Sequence, residues 1–276
     1  MKDIRKTPSA VAVCVFMILY CVFNLFVMGY LIYNSLRGRQ DILGNMFGIP
    51  ASLALDGYFH LLLKDKFFRF FGNSIFILAG AIFLSVFLSS TVAYGLGHYR
   101  FRFKKAVKTY FLVGLMFPVQ LGIVPVFLLM KGLRLIDTYW AVILIAGSSI
   151  SMAVFLLTNF FAGLPQEIYE AAILDGSGEF RTFVKIMFPL ASPVVFSMSI
   201  LTAVGIWNQF FVPLIFLQSE EKKTIPLMVM KYSARLLTSI DSAFVISVLS
   251  TLPIMIMFIV FSSRILEGIA EGGIKG

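Results

Sequence analysis

Charge is scarce in this sequence. Only 13% of the residues are charged, there are two cysteines and two histidines, and 14 Asp and Glu stand against 23 Lys and Arg. Apolar residues make up 59% of the 276 positions, and a water-soluble fold could not cover that much apolar surface with so few polar side chains. The composition therefore predicts an integral membrane protein and excludes a soluble one.

The chemistry of several enzyme classes is also missing. No phosphate-binding loop of the form G-x-x-x-x-G-K-[ST] occurs, and the terminal "EGGIKG" lacks its spacing. His60 and His98 lie in separate loops, so no metal cluster is expected. Cys14 and Cys21 share one apolar run at a separation of roughly 10 Å along a helix, too far for a disulfide. We predict no catalytic residue, metal or cofactor in this chain, and no enzyme activity.

Six apolar stretches reach the roughly 20 residues that a helix needs to cross a bilayer. Their continuity, without alternation between two faces, favours helices over a β-barrel. The first is too long for the apolar region of a signal peptide. The sequence thus predicts an all-α membrane protein with six transmembrane helices, at about Ala10–Asn34, Asn73–Gly97, Val107–Met130, Tyr139–Phe161, Pro193–Phe216 and Ala243–Ser263.

Orientation is only weakly marked by total charge. With the N-terminus inside, 12 of the 23 Lys and Arg fall on the inner side and 11 on the outer side. The stretch "HYRFRFKKAVK" (98–108) packs five cations beside two spans, which favours the cytoplasm for this loop and for both termini. No span carries an ionisable residue deep in its apolar core, which argues against a carrier coupled to protons or sodium.

One polar segment interrupts the apolar pattern. "EAAILDGSGEF" and the residues just before it hold four carboxylates, and Pro165 suits the first turn of a helix. Glu167 and Glu170 complement the positive end of that helix, and Gly176 is suited to reverse the chain at its C-terminus. A second short helix, "GEFRTFVKIMF", follows. The pattern predicts a helix–Gly–helix elbow on the cytoplasmic face, and it leaves open whether the elbow merely joins two spans or meets a partner.

The elbow resembles the EAA loop of ABC importer permeases. It has Glu-Ala-Ala, then Asp175-Gly176, then nine residues, then "IMFP", with Phe188 for the usual Leu and Ser177 for a common Ala. "STVAYGLGHYRFRFKK" resembles the family's second span and the basic loop after it, and "FPVQLGIVPVFLLMKGLRLIDTYWAVIL" is similar to the third and fourth spans of its carbohydrate branch. "WNQFFVPLIFLQSEEKKTIPLMV" and "EGIAEGGIKG" are similar to its maltose-type G subunit, although a family Gln near Ser262–Ser263 is missing.

The resemblance implies one permease domain over residues 1–276, with the EAA loop at about 162–192, in a bacterial or archaeal cytoplasmic membrane. It implies import of a carbohydrate of the oligosaccharide class, together with a second homologous permease, two ATPase subunits that bind ATP and Mg, and an extracytoplasmic solute-binding protein. No nucleic acid is expected, and membrane lipid surrounds the chain.

The resemblance also assigns roles to residues. The ATPase-coupling set is Glu170, Ala171, Ala172, Asp175 and Gly176. A C-terminal tail that reaches the ATPases contains Gly272, Gly273, Lys275 and Gly276. A loop that contacts the binding protein contains Gln218, Lys222, Thr224, Pro226 and Tyr232.

Polar and aromatic residues inside the spans are candidates for the substrate pathway, because amide groups and aromatic faces suit sugars. They are Gln120, Ser148, Ser149, Ser151, Trp207, Asn208 and Gln209. The same groups could instead hydrogen-bond between helices. An importer of peptide or polyamine, a secondary carrier and a membrane scaffold remain as alternatives.

Overall fold

The computed structural model describes residues 8–50 and 53–273, and side-chain surroundings within them for residues 10–50, 53–235 and 238–263. No strand occurs among the described residues, so the all-α prediction is confirmed. In chain order the helices are α1 (Pro8–Ser35), α2 (Arg39–Gly44), α3 (Asp56–Phe59), α4 (Phe67–His98), α5 (Lys104–Gly114), α6 (Ile123–Gly132), α7 (Tyr139–Gly147), α8 (Ser151–Gly163), α9 (Gln166–Leu174), α10 (Glu179–Thr182), α11 (Phe188–Leu190), α12 (Ser192–Trp207), α13 (Phe211–Phe216), α14 (Ile225–Ser233) and α15 (Leu236–Gly273).

Three helical segments of the described chain are long and apolar enough to cross a membrane on their own: Ala10–Ser35, Phe67–His98 and Thr238–Ser263. Three further spans arise only if two helices joined by a sharp bend count as one. The bends are 96° for Lys104–Gly114 with Val119–Gly132, 44° for Tyr139–Gly147 with Ser151–Gly163, and 74° for Glu179–Leu190 with Ser192–Trp207. The first, second and sixth predicted spans lie within the continuous helices, and the third and fourth coincide with bent pairs. The fifth shares only the segment up to Trp207 with the third bent pair.

The third predicted span, Val107–Met130, is wrong as a single helix. The helix α5 ends at Gly114, and a 3-10 turn at Val119–Gly122 precedes α6. Between them Pro118 is extended, with φ −69° and ψ 138°. Proline has no N–H for a helical bond and disfavours the helical conformation in the residue before it, so the chain bends here.

The fourth predicted span, Tyr139–Phe161, is likewise two helices, α7 and α8. At the break Ser148 Oγ donates to the Ile145 carbonyl at 3.0 Å, an interaction that competes with the helical backbone bonds. Gly147 lies against α4, where a Cβ would come within 2.9 Å of Leu84 Cδ2. Only glycine allows so close an approach at the end of α7.

The fifth predicted span, Pro193–Phe216, is interrupted between α12 and α13. Gln209 Oε1 accepts from the Phe211 N–H at 3.1 Å, so a side chain replaces the backbone partner of that group. Pro213 has no N–H, so it cannot donate a helical hydrogen bond to a carbonyl earlier in the chain. The single-helix prediction is wrong here, and the break leaves Asn208 and Gln209 outside regular helix.

The long helix α4 approaches two neighbours closely at small residues. A Cβ on Gly97 would lie 2.6 Å from Phe161 Cβ in α8, and one on Gly80 would lie 2.9 Å from Ile143 Cδ1 in α7. Small residues permit this kind of packing between membrane helices, where dispersion contacts replace the hydrophobic effect. The buried side chains around the α4–α8 contact include Ala93, Tyr94, Leu157, Phe161, Met187 and Val194.

The described residues divide into two compact units, one within Met1–Phe68 and Met228–Leu252, the other within Arg69–Leu227 and Pro253–Gly276. In the first unit the buried guanidinium of Arg37 donates to the carbonyls of Asp41, Asn45 and Met46 at 2.8–3.0 Å, which closes the loop after α1. The second unit contains the elbow and the other sites described below, except for Tyr232. A single permease domain over residues 1–276 stays a prediction.

Candidate functional site

The first helix of the elbow, α9, ends in a Schellman motif. The N–H of Gly176 donates to the Ile173 carbonyl at 2.9 Å, and the N–H of Ser177 donates to the Ala172 carbonyl at 3.0 Å. Gly176 has a φ of +75°, a region in which a side chain costs roughly 1–2 kcal/mol. The chain reverses where the sequence predicts it.

The second half of the elbow is helical from Glu179 to Leu190, with a π-helical turn at Phe183–Met187 between α10 and α11. Thr182 and Met187 are buried, and Met187 belongs to the same core as α4 and α8. Pro189 lies inside this helical stretch rather than ending it, within the short helix α11. The second half of the elbow therefore packs against α4 and α8.

One carboxylate holds the two halves together. The hydroxyls of Tyr169, on α9, and Tyr99, directly after α4, both donate to the carboxylate of Glu179, the first residue of α10. The bond to Glu179, together with burial, raises the pKa of Tyr169 to about 12. The pKa of Tyr99 is also raised, mainly by burial and further by its hydrogen bond to Glu179. We call Tyr99, Tyr169 and Glu179 the elbow bracket.

Aromatic rings support the bracket from the α4 side. The rings of His98 and Tyr169 have centroids 4.1 Å apart, and Tyr94 stacks on His98 at 5.3 Å. Tyr94 also lies 4.9 Å from the ring of Phe183 in the second half of the elbow. Sequence reasoning missed this cluster. The signal available was the spacing of Tyr94 and His98, which places both rings on one face of a helix.

The predicted coupling residues do not all face outward. Glu170, Ala171, Asp175 and Gly176 are exposed, whereas Ala172 is 4% exposed and packs inward. Gln166 Nε2 donates to Glu170 Oε1 at 2.9 Å, along the outer face of α9.

Two exposed apolar side chains at the elbow were missed by the sequence analysis. Leu174 is 88% exposed and Phe180 is 78% exposed. Exposed apolar side chains bordered by polar residues occur at surfaces that bind another protein. The elbow therefore presents acidic and apolar groups on a fixed scaffold.

The predicted C-terminal tail is only partly visible. Gly272 and Gly273 are the last two residues of α15, while Lys275 and Gly276 lie outside the described residues. The role of the tail stays a prediction.

The loop between α13 and α14 is held by Asp137. Its carboxylate accepts from the N–H groups of Gln218 and Ser219 at 3.0 and 2.9 Å, from the Ser219 hydroxyl and from Lys222 Nζ at 3.0 Å. Burial acts to raise the pKa of Asp137, but the bonds from Ser219, Lys222 and Gln218 outweigh it and hold that pKa below its usual value. The carboxylate is therefore charged at neutral pH.

The start of α4 holds the same loop from another side. Asn73 Nδ2 donates to the carbonyls of Glu221 and Lys223 at 2.8 and 2.9 Å, and Arg69 pairs with Glu221 at 2.7 Å. These contacts and the Asp137 contacts together fix the path of the loop.

The residues predicted to contact a binding protein are therefore differently placed. Gln218 is exposed, Lys222 is engaged by Asp137, Thr224 is buried and Pro226 is half-buried. Tyr232 lies in the other compact unit, where its hydroxyl donates to Asp65.

An open depression of about 940 Å³, including the space at its mouth, lies on α12 and at the break between α7 and α8. Of the predicted pathway residues it contains Ser149 and Gln209. Sequence reasoning missed the other lining residues, which are apolar or small except for Thr202: Ala146, Met152, Met198, Leu201, Thr202, Gly205 and Ile206.

The remaining pathway candidates lie elsewhere. Trp207 is buried and meets the ring of Phe71 edge-on at 5.8 Å. The amide of Asn208 donates to the Val204 carbonyl at 3.0 Å, and exposed Gln120 sits in the 3-10 turn before α6.

A helical membrane protein with a fixed, exposed elbow between its apolar helices is the class that the fold and this site define. Residues 85–270 match the family described as "Binding-protein-dependent transport system inner membrane component". The chain belongs to this family, whose members are the membrane-embedded permeases of such transport systems.

Relatives of known name support the assignment. The chain is 35% identical over 254 residues to the arabinooligosaccharides transport system permease protein AraQ of Halalkalibacterium halodurans, covering 89% of each chain. It is 28% identical to the diacetylchitobiose uptake system permease protein NgcG of Streptomyces coelicolor, covering 93% of this chain and 86% of the relative.

Among solved structures, a bacterial ABC transporter involved in the import of the acidic polysaccharide alginate contains a chain with the same fold. The TM-score is 0.77 with 24% identity, over 92% of this chain and 95% of that one.

Replacing Gly176 by Ala should destabilise the elbow by roughly 1 kcal/mol, because alanine is strained at a φ of +75°. Gly178→Ala is a matched control, since Gly178 has a φ of −75° and both positions have room for a Cβ. Hydrogen exchange of the Gly176 and Ser177 amides measures the difference. Equal exchange in the two variants would show that the Schellman turn is not strained by a side chain.

Replacing Glu179 by Gln should loosen α9 from α10 and from the end of α4, because a neutral amide accepts the two tyrosine hydrogen bonds less strongly. Loss of charge-assisted bonds of this kind costs about 1.5–3 kcal/mol. We expect the amides of α9 to exchange at least tenfold faster. The control is Glu167→Gln, which neutralises an exposed carboxylate on α9 and should leave exchange unchanged. An equal effect in the two variants would assign the change to net charge.

Proposed function

We propose that this chain is the permease subunit of an ATP-driven importer of carbohydrate, specifically an oligosaccharide. Three relatives support the substrate class by their names: those for arabinooligosaccharides, for diacetylchitobiose, and the multiple sugar-binding transport system permease protein MsmG of Streptococcus mutans. A second homologous permease, two ATPase subunits carrying ATP and Mg, and an extracytoplasmic binding protein complete the assembly. The chain itself hydrolyses no ATP and binds no cofactor.

The elbow is the contact with an ATPase subunit, and its geometry is the observation that carries the proposal. Exposed Glu170, Ala171 and Asp175 lie beside exposed Leu174 and Phe180 on a turn fixed by Gly176. A basic group of the ATPase would pair with Glu170, while the small side chain of Ala171 permits close approach. Since the elbow faces cytosolic ATPases, the loop and both termini are cytoplasmic.

The bracket gives the elbow a route to the membrane. A contact transmits a change only when it differs between two states of the partner, and a flexible loop would absorb that difference. Here Glu179 joins both halves of the elbow to the end of α4, and α4 packs closely on α7 and α8. Movement of the ATPase would therefore displace these helices together with the elbow.

The depression on α12 is the part of the pathway that this chain contributes. Gln209 and Thr202 supply hydrogen-bonding groups, Ser149 lies opposite on the α7–α8 break, and methionines supply adaptable apolar contact. A sugar presents hydroxyl groups with apolar faces between them, and this mixed lining suits it better than a charged polyamine, for which no carboxylate lines the depression.

Reversing the charge at Glu170 should release the ATPase. In a pull-down with the tagged permease, Glu170→Lys should lower the retained ATPase at least tenfold, because a cation then faces the partner's basic group. Glu220→Lys, an equal charge reversal on the loop after α13, is the control and should retain it. Retention by both variants would contradict the docking role of the elbow.

Replacing Gln209 by Leu should lower ATP-dependent oligosaccharide uptake about tenfold, since the loss of one or two hydrogen bonds to substrate is worth roughly that factor. Vesicles containing the permease, its partners and a loaded binding protein provide the assay, with Gln40→Leu as a control outside the depression. Uptake driven by a proton or sodium gradient without ATP would overturn the importer. ATP-dependent uptake of peptide or polyamine alone would overturn the substrate class.

A further inference from the structure

The five cations between α4 and the middle of α5 take no part in the proposed function. They are Arg100, Arg102, Lys104, Lys105 and Lys108. Four basic residues pair with carboxylates within the described part of the chain, and the five cations are not among them: His60, Arg69, Lys222 and Lys223. Lys104 Nζ contacts only carbonyl oxygens, with Tyr99 O the nearer at 2.9 Å.

The position of these cations is unfavourable for the isolated helix. Lys104 and Lys105 open α5, whose first turn holds no acidic residue and whose N-cap side chain makes no bond. Cations are disfavoured at the positive end of the helix dipole. Lys104 and Lys108 also repel each other at a spacing of four residues. An anion at this end of α5 would accept from the free N–H groups of the first turn, offset the cations at the positive helix end and reduce the repulsion between Lys104 and Lys108.

A pocket opens beside Lys108, between α5 and α8. Its volume is about 410 Å³ including the mouth, and its wall combines Lys108 and Asn159 with apolar Phe111, Leu112 and Phe155. Thr158 also lines it, and the buried hydroxyl of Thr158 has no hydrogen-bond partner among the described residues. One part of the pocket thus offers a cation and an amide, and the rest offers hydrocarbon contact.

We propose that this pocket binds an anionic phospholipid. The phosphate lies against Lys108 and Asn159 near the cationic start of α5, and an acyl chain lies along Phe111, Leu112 and Phe155. Basic pockets between membrane helices suit anionic headgroups, since each nearby Lys or Arg contributes about 1 kcal/mol of attraction. The charge and the apolar wall together select an anionic amphiphile over a free anion. The proposal needs only the membrane location, not the proposed substrate.

Native mass spectrometry of the full-length chain, purified with its partner subunits, tests the site. The probes are phosphatidylglycerol and phosphatidylcholine at equal concentration, and we expect one additional phosphatidylglycerol per copy of this chain. Lys108→Gln should weaken its retention about fivefold, the effect of one nearby cation. Lys105→Gln removes the same charge from the same helix outside the pocket and should have a smaller effect.

A second pair of variants leaves the charge untouched. Leu112→Trp fills the apolar part of the pocket and should abolish the selective retention, whereas Leu115→Trp, at an equally exposed position outside the pocket, should preserve it. Both positions are exposed, so neither change threatens the core.

Several results would overturn the proposal. Equal retention of the two lipids, or equal loss in Lys105→Gln and Lys108→Gln, would mean diffuse attraction to the membrane without a site. Displacement of the lipid by glycerol phosphate at similar concentration would mean a site for a free phosphate. Loss of the second permease from Lys108→Gln or Leu112→Trp, with no lipid bound to the unaltered chain, would mean that a protein helix fills the pocket.

Discussion

A backbone inside a bilayer finds no water, so every N–H and C=O must be satisfied within the protein. This constraint keeps α1, α4 and the apolar part of α15 helical over their full spans. Where a spanning segment bends, side chains replace the missing backbone partners: Ser148 Oγ bonds to Ile145, and Gln209 Oε1 accepts from Phe211. Ser148 and Gln209 thus lie where helices break, and both of these breaks border the depression on α12.

The elbow obeys a different requirement, since it must be both exposed and rigid. Its outer face carries carboxylates and the exposed side chains of Leu174 and Phe180, while Ala172, Thr182 and Met187 are buried. A single carboxylate, Glu179, replaces the extensive core that a larger domain would use to hold two short helices at a fixed angle. Because Tyr99 follows α4 directly, the same group ties the elbow to the helix that α7 and α8 pack against.

The charges of this chain fall into two kinds. On the loop after α13, cations and carboxylates are matched: Lys222 with Asp137, Lys223 with Glu220, and Arg69 with Glu221. The loop after α4 has cations without carboxylate partners among the described residues. The first arrangement joins parts of the fold, whereas the second leaves positive charge available to an external anion. That contrast separates charges that hold the structure from charges that await a ligand.

The sequence alone determined the fold class and the elbow, because apolar run length, Pro165 and Gly176 act locally. The resemblance of the sequence to ABC importer permeases was confirmed by the family match. It did not reveal where the predicted spans break, because residues such as Pro118, Ser148 and Gln209 are also tolerated inside continuous membrane helices. Nor did it reveal the bracket, because Tyr99, Tyr169 and Glu179 are separated by up to 80 residues. Which coupling residues face outward was decided by tertiary packing, which buries Ala172 and exposes Ala171 although the two are adjacent and identical.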